Sequence, residues 1–84
     1  MPKFIDYHES LPPMPPEMMA QAKQGIEAGA VNEFGGKGLN LFLGTDGSAY
    51  CLSEAPSADA VLKGHQALGI PQDLEGITEV TSLI

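Results

Sequence analysis

The middle of the chain limits its fold more than any other stretch. Residues 39–55, "LNLFLGTDGSAYCLSEA", hold two strand-like runs around "TDGS". Alternation of apolar with other side chains suits a half-buried strand. Asp-Gly tolerates the positive φ values of a type I′ hairpin turn. The stretch therefore predicts a strand at 39–45, a turn at 45–48 and a returning strand at 49–55.

A helical pattern stands on each side of this hairpin. "EMMAQAKQGIEAGAV" (17–31) repeats Met18, Met19, Ala22, Ile26 and Ala30 at three- and four-residue steps, which gives one apolar face. "APSADAVLKGHQALG" (55–69) offers Ser57 as an N-cap and Gly69 just past its end. Outside the helices lie "KFIDYH" (3–8) and "ITEVTSLI" (77–84), both with the β-branched and aromatic residues that strands favour. "SLPPMPPE" (10–17) is a stiff loop by its four prolines, and Pro16 suits a first helical turn. "EFGGKG" (33–38) and "IPQDLEG" (70–76) read as loops.

The order β-α-β-β-α-β predicts an α+β fold, the ferredoxin-like βαββαβ sandwich, with two helices on one face of a four-stranded antiparallel sheet. With 84 residues it is expected to be a single domain over 1–84. A core this small gains margin from self-association or a bound ligand.

Charge narrows the partners. Eleven acidic residues stand against four basic ones, all lysine, for a net charge of −7. Nucleic-acid and anionic-membrane surfaces need clustered basic side chains, so neither partner is expected. Cations are the natural partners of such a surface. The single cysteine allows no internal disulfide, which suits a reducing, cytoplasmic setting. "MPKFIDYHES" lacks the apolar core of a secretory signal, and no apolar run approaches a membrane span.

The expected sheet has strands one and three side by side and parallel. Strand residues alternate between faces. Ile5 and Tyr7 are assigned to the helix side with Ala49, Cys51, Ser53 and Ala55. Asp6, His8 and Glu54 then fall on the open face, because an unpaired charge under helices is costly. His8 and Glu54 would be neighbours at the strands' C-terminal ends. Phe4, Phe42, Tyr50, Leu52 and Leu83 would share that face, a patch too apolar for a monomer. A homodimer packed sheet to sheet would cover it. Cys51 reads as a small buried hydrophobe. His65 follows Ala58, Val61 and Leu62 on the inward stripe of the second helix, about 12 Å from its start. It reads as a packing residue apart from His8 and Glu54.

His8 with Asp6, Glu54 or Glu9 offers imidazole and carboxylate to a divalent transition metal. No H-x-x-x-H or C-x-x-C spacing occurs, so an octahedral N/O site with waters, or one shared across a dimer, is expected over a closed tetrahedral one. A metal-free structural dimer is the plainer alternative. Enzymatic readings stay open in two forms. A Cys51–His65 pair would need an exposed thiol. A Glu54–His8 acid/base pair would make the chain a small-molecule enzyme or ligand-binding dimeric α/β-barrel. The glycines match neither a P-loop nor a dinucleotide fingerprint.

"D-x-H" at Asp6 and His8, the segment Tyr50 to Pro56, His65 in the second helix and the terminal "EVT" together resemble a family of small bacterial proteins. These are the nickel-binding, nickel-responsive ferredoxin-like proteins, long a domain of unknown function. The resemblance implies the ferredoxin-like fold, homodimerisation and nickel binding, and no known enzyme activity. It brings His65 into the metal set. The candidate metal ligands are thus His8, Asp6, Glu54 and His65, with nickel first among divalent ions.

Overall fold

The computed structural model describes residues 1–10 and 15–83. Residues 11–14 of the proline-rich stretch, and residue 84 of the expected last strand, lie outside the described residues. The elements run β1 (Lys3–His8), α1 (Pro16–Ala28), β2 (Lys37–Leu43), β3 (Ala49–Glu54), α2 (Ala58–Ala67), a 3-10 turn (Leu74–Gly76) and β4 (Ile77–Val80). The fold is ferredoxin-like, a four-stranded antiparallel sheet in the order β2-β3-β1-β4 with two helices.

The element ends follow local chemistry. Pro16 opens α1, where its missing N–H costs nothing. Gly29 closes α1 at φ 67°, a left-handed conformation that glycine adopts without penalty. The Ser57 hydroxyl caps α2 by accepting from the Ala60 N–H at 3.2 Å. The hairpin turn differs from the expected type I′. Its φ is positive at Gly47 (91°) and at no non-glycine residue described, so Asp46 keeps a negative φ. The Asp46 carboxylate accepts from both the Ser48 N–H and its hydroxyl. Gly47 N–H closes a turn on the Gly44 carbonyl, and Gly44 N–H bonds the Ser48 carbonyl. The loop is thus three residues, Thr45 to Gly47, with the glycine at the left-handed position.

Strand direction needs a second correction. β1 and β3 are antiparallel, with Lys3 opposite Glu54 and His8 opposite Ala49. The reason is topological. The helical crossover makes β1 parallel to β2, and β3, hairpin-paired to β2, sits between them running the other way. His8 and Glu54 therefore lie at opposite ends of the β1–β3 ladder.

Face assignment needs a third. On β1 the buried set is Phe4, Asp6 and His8, whereas Tyr7 is exposed. Phe4 packs with Ala55, Ala60, Val61 and Ile77 into the core between sheet and helices. The open face carries Ile5 opposite Leu52 and Tyr7 opposite Tyr50, with Phe42 on the far side of Tyr50. The Tyr7 and Tyr50 rings lie 5.0 Å apart in a tilted pair. The open face is thus apolar, as expected, but through a different set of β1 residues. Among the described residues, no helix is long and apolar enough to cross a membrane.

Candidate metal centre

Alternation along β1 sends Asp6 and His8 to the same face, under α2. Across the antiparallel ladder Cys51 lies directly opposite Asp6, so its side chain joins them. α2 presents His65 from above, one turn after buried Val61. Three elements thus converge four side chains, Asp6, His8, Cys51 and His65, whose ligand atoms all lie within 4.8 Å of one another.

Asp6 is the hub and is fully buried. Its Oδ2 stands 2.7 Å from His8 Nε2 and 3.0 Å from His65 Nε2. Its Oδ1 is buried without a hydrogen-bond partner. A buried carboxylate is tolerable because two imidazoles share its charge. The two rings lie 5.2 Å apart. His65 Nδ1 donates to the Val61 carbonyl at 2.8 Å, a contact that fixes the ring and aims Nε2 at Asp6.

The electrostatics follow from this packing. Burial is the largest single influence on His65 and would lower its pKa. Its hydrogen bonds to Asp6, Cys51 and the Val61 carbonyl, with the Asp6 charge, outweigh burial and push it up to about 10. Burial raises the Cys51 thiol, the nearby Asp6 charge adds to that, and the His65 contact only partly opposes it. Without an ion, the thiol and the imidazolium both keep their protons near neutrality. An ion would have to displace them, as metals do at such donors.

The donor set can hold a metal. Two imidazole nitrogens, one thiolate and one carboxylate oxygen suit borderline first-row ions such as Zn²⁺ or Ni²⁺. Ligand atoms around such an ion stand roughly 3–4 Å apart, from bond lengths of about 2.0–2.3 Å, so the cluster needs only small side-chain adjustments.

Of the four candidate ligands drawn from the sequence, Asp6, His8 and His65 are brought together. Glu54 is not. It sits on the open face, opposite Lys3 on one side and Lys37 on the other. Cys51, set aside as a core residue, is within the cluster. Two signals pointed to it: its parity on β3, and the inward stripe that carries His65. Both place it under α2, and Asp6 and His8 join it there because their face of β1 is the opposite of the expected one.

The fold is similar to that of a Streptomyces coelicolor A3(2) protein, SCO4226, known from a crystal structure. The two superpose with a TM-score of 0.72 at 29% sequence identity over 98% of this chain and 99% of the other. No family model and no curated protein matches the chain.

Proposed function

We propose that this chain is a small protein that binds one divalent transition-metal ion per subunit through Asp6, His8, Cys51 and His65. The observation that carries the reading is the convergence of these four donors around a fully buried carboxylate with one unpartnered oxygen. Buried polar atoms are rarely left without a use. Nickel is the first candidate, supported by the sequence resemblance and by the affinity order that ranks Ni²⁺ above Co²⁺, Fe²⁺ and Mn²⁺ at nitrogen and sulfur donors. The reading includes membership of that nickel-responsive family and a cytoplasmic setting that keeps the thiol reduced. Calorimetric titration of metal-free protein with nickel and zinc tests it. One-site binding that His8→Ala abolishes is expected; absence of heat with both ions ends it.

A metal-free reading has one observation in its favour. Asp6 Oδ2 already meets both imidazoles at hydrogen-bond distance, so protons alone can hold the cluster. Elemental analysis of protein purified without chelator separates the two.

Self-association is the second part of the proposal. Ile5, Tyr7, Phe42, Tyr50 and Leu52 form a continuous apolar face, with Tyr7, Phe42 and Tyr50 more than 40% exposed. A second copy packed sheet to sheet would cover it. A monomeric mass by light scattering at tens of micromolar would remove this part and leave the metal site intact.

A further inference from the structure

We propose that two copies of this chain join open face to open face with their strands antiparallel, so that Lys3 and Glu54 of one copy meet Tyr7, Glu9 and Tyr50 of the other. The inference rests on the self-association reading above and adds to it the direction of packing and the polar contacts that set it.

Three rows of side chains cross the open face from β2 to β1. Lys37, Glu54 and Lys3 form the first, Asn40, Leu52 and Ile5 the second, and Phe42, Tyr50 and Tyr7 the third. The first row holds two lysines and one carboxylate, a net charge of +1. Lys23 and Lys63 pair with Glu27 and Asp59 along their own helices, whereas Lys3 and Lys37 form no ion pair among the described residues. Lys37 leans off the β2 edge toward the end of α1, where a Cβ on Gly29 would meet its Cε at 3.4 Å. Lys3 is therefore the lysine that the face presents.

The opposite end is acidic. Glu9, Asp73 and Glu75 line a groove beside Tyr7. Loss of surrounding water raises the pKa of the Tyr7 hydroxyl, and the neighbouring Tyr50, Asp46 and Glu9 raise it further, which puts Asp46 near the same ring. The face thus runs from a basic row through an apolar one to an aromatic row bordered by four carboxylates.

Two identical faces that pack on each other are related by a two-fold axis lying between them. Two aligned packings are possible. An axis along the strands brings the acidic end of one copy onto the acidic end of the other, and like charges repel. An axis across the strands keeps each strand over its own copy and reverses its direction. The apolar row then packs on itself, Ile5 against the partner's Ile5 and Leu52 against the partner's Leu52. Lys3 lies over the ring of the partner's Tyr7 with the partner's Glu9 beyond it, a cation–π contact backed by a carboxylate. Glu54 lies over the partner's Tyr50, whose hydroxyl can donate to it. Complementary ends of this kind fix the register of an interface.

The test is a charge swap between Lys3 and Glu9. They stand six residues apart along the direction of β1, roughly 20 Å at about 3.3 Å per residue. That exceeds the screening length of about 8 Å at physiological salt, so coupling between them reports contact across copies. Dimer dissociation constants of the full chain are measured by sedimentation. Lys3→Glu and Glu9→Lys are each expected to weaken the dimer about ten-fold, because each change enters two symmetry-related contacts. The double variant is expected to return to within a few fold of the parent, a recovery that a misfolded single variant could not show. A Glu9→Lys chain that associates more tightly than the parent means that the acidic ends meet, and it overturns the inference. So does a double variant as weak as the two changes combined, or a dimer indifferent to all three variants; each leaves self-association standing. If the parent is monomeric throughout, the self-association reading and this inference fall together.

Discussion

Cys51→Ala is the most discriminating single change. Cys51 takes no part in the Asp6–His8 and Asp6–His65 contacts or in the Val61 contact that fixes His65. Its removal therefore leaves those three contacts standing, takes away the Cys51 hydrogen bond to His65 and deletes one donor. Structural zinc sites in small domains are worth about 10–16 kcal/mol for four ligands. One ligand's share is then about 2.5–4 kcal/mol, a loss of roughly 10²-fold or more in affinity at 1.4 kcal/mol per decade. The same change in metal-free protein trims one sulfur from a half-buried position and costs only about 1 kcal/mol of stability. Glu54→Gln is the control, because Glu54 lies on the other face of the sheet. Competition titration against a chromophoric chelator measures the affinities, and urea unfolding measures the stabilities. The four-donor reading fails if Cys51→Ala leaves metal affinity within a few fold of the parent, or if Glu54→Gln weakens it as much.

Three further outcomes follow from the same geometry. Asp6→Asn removes the charge that two imidazoles share and is expected to lower the urea-unfolding stability of metal-free protein by about 3 kcal/mol, the cost of breaking a buried pair from one side. His65 sets a pH dependence: its pKa is raised from 6.5 to about 10, so its stabilising contribution is full below pH 6.5 and declines as pH rises through about 10. Metal-free protein should therefore have a lower unfolding midpoint at pH 10 than at pH 6.5, while metal affinity rises with pH because binding expels protons, read from calorimetric heats in buffers of different ionisation enthalpy. Ser57→Ala, which removes the α2 cap, should cost about 1 kcal/mol in the same unfolding assay.

Local signals in the sequence carried most of the fold. "KFIDYH" gives β1 with the bounds read from it, and Ser57 caps α2 where expected. These features depend on a few adjacent residues and on backbone chemistry alone. The faces of β1 were not legible in that way. An aspartate in isolation belongs in water, and only partners from elsewhere reverse the rule. Those partners are His8 two residues on, Cys51 across the ladder and His65 on α2, which no pattern within β1 reveals. The Asp46 turn failed for a related reason. Asp-Gly permits two turn geometries, and the Ser48 hydrogen bonds to the Asp46 side chain select the longer loop.

The four donors span residues 6 to 65, on β1, β3 and α2, around a core in which Phe4 is the largest side chain. No fragment that lacks either β1 or α2 can assemble the cluster. An ion bound there reports that β1, β3 and α2 have come together, and it stabilises only the folded form. At a free concentration one hundred times its dissociation constant, the ion adds about 2.7 kcal/mol. A chain of 84 residues has on the order of 4–13 kcal/mol in all. Ion supply would then set the lifetime of each copy, because proteases clear the opened form first. The amount of this protein in a cell would thereby become a running record of how much metal is free.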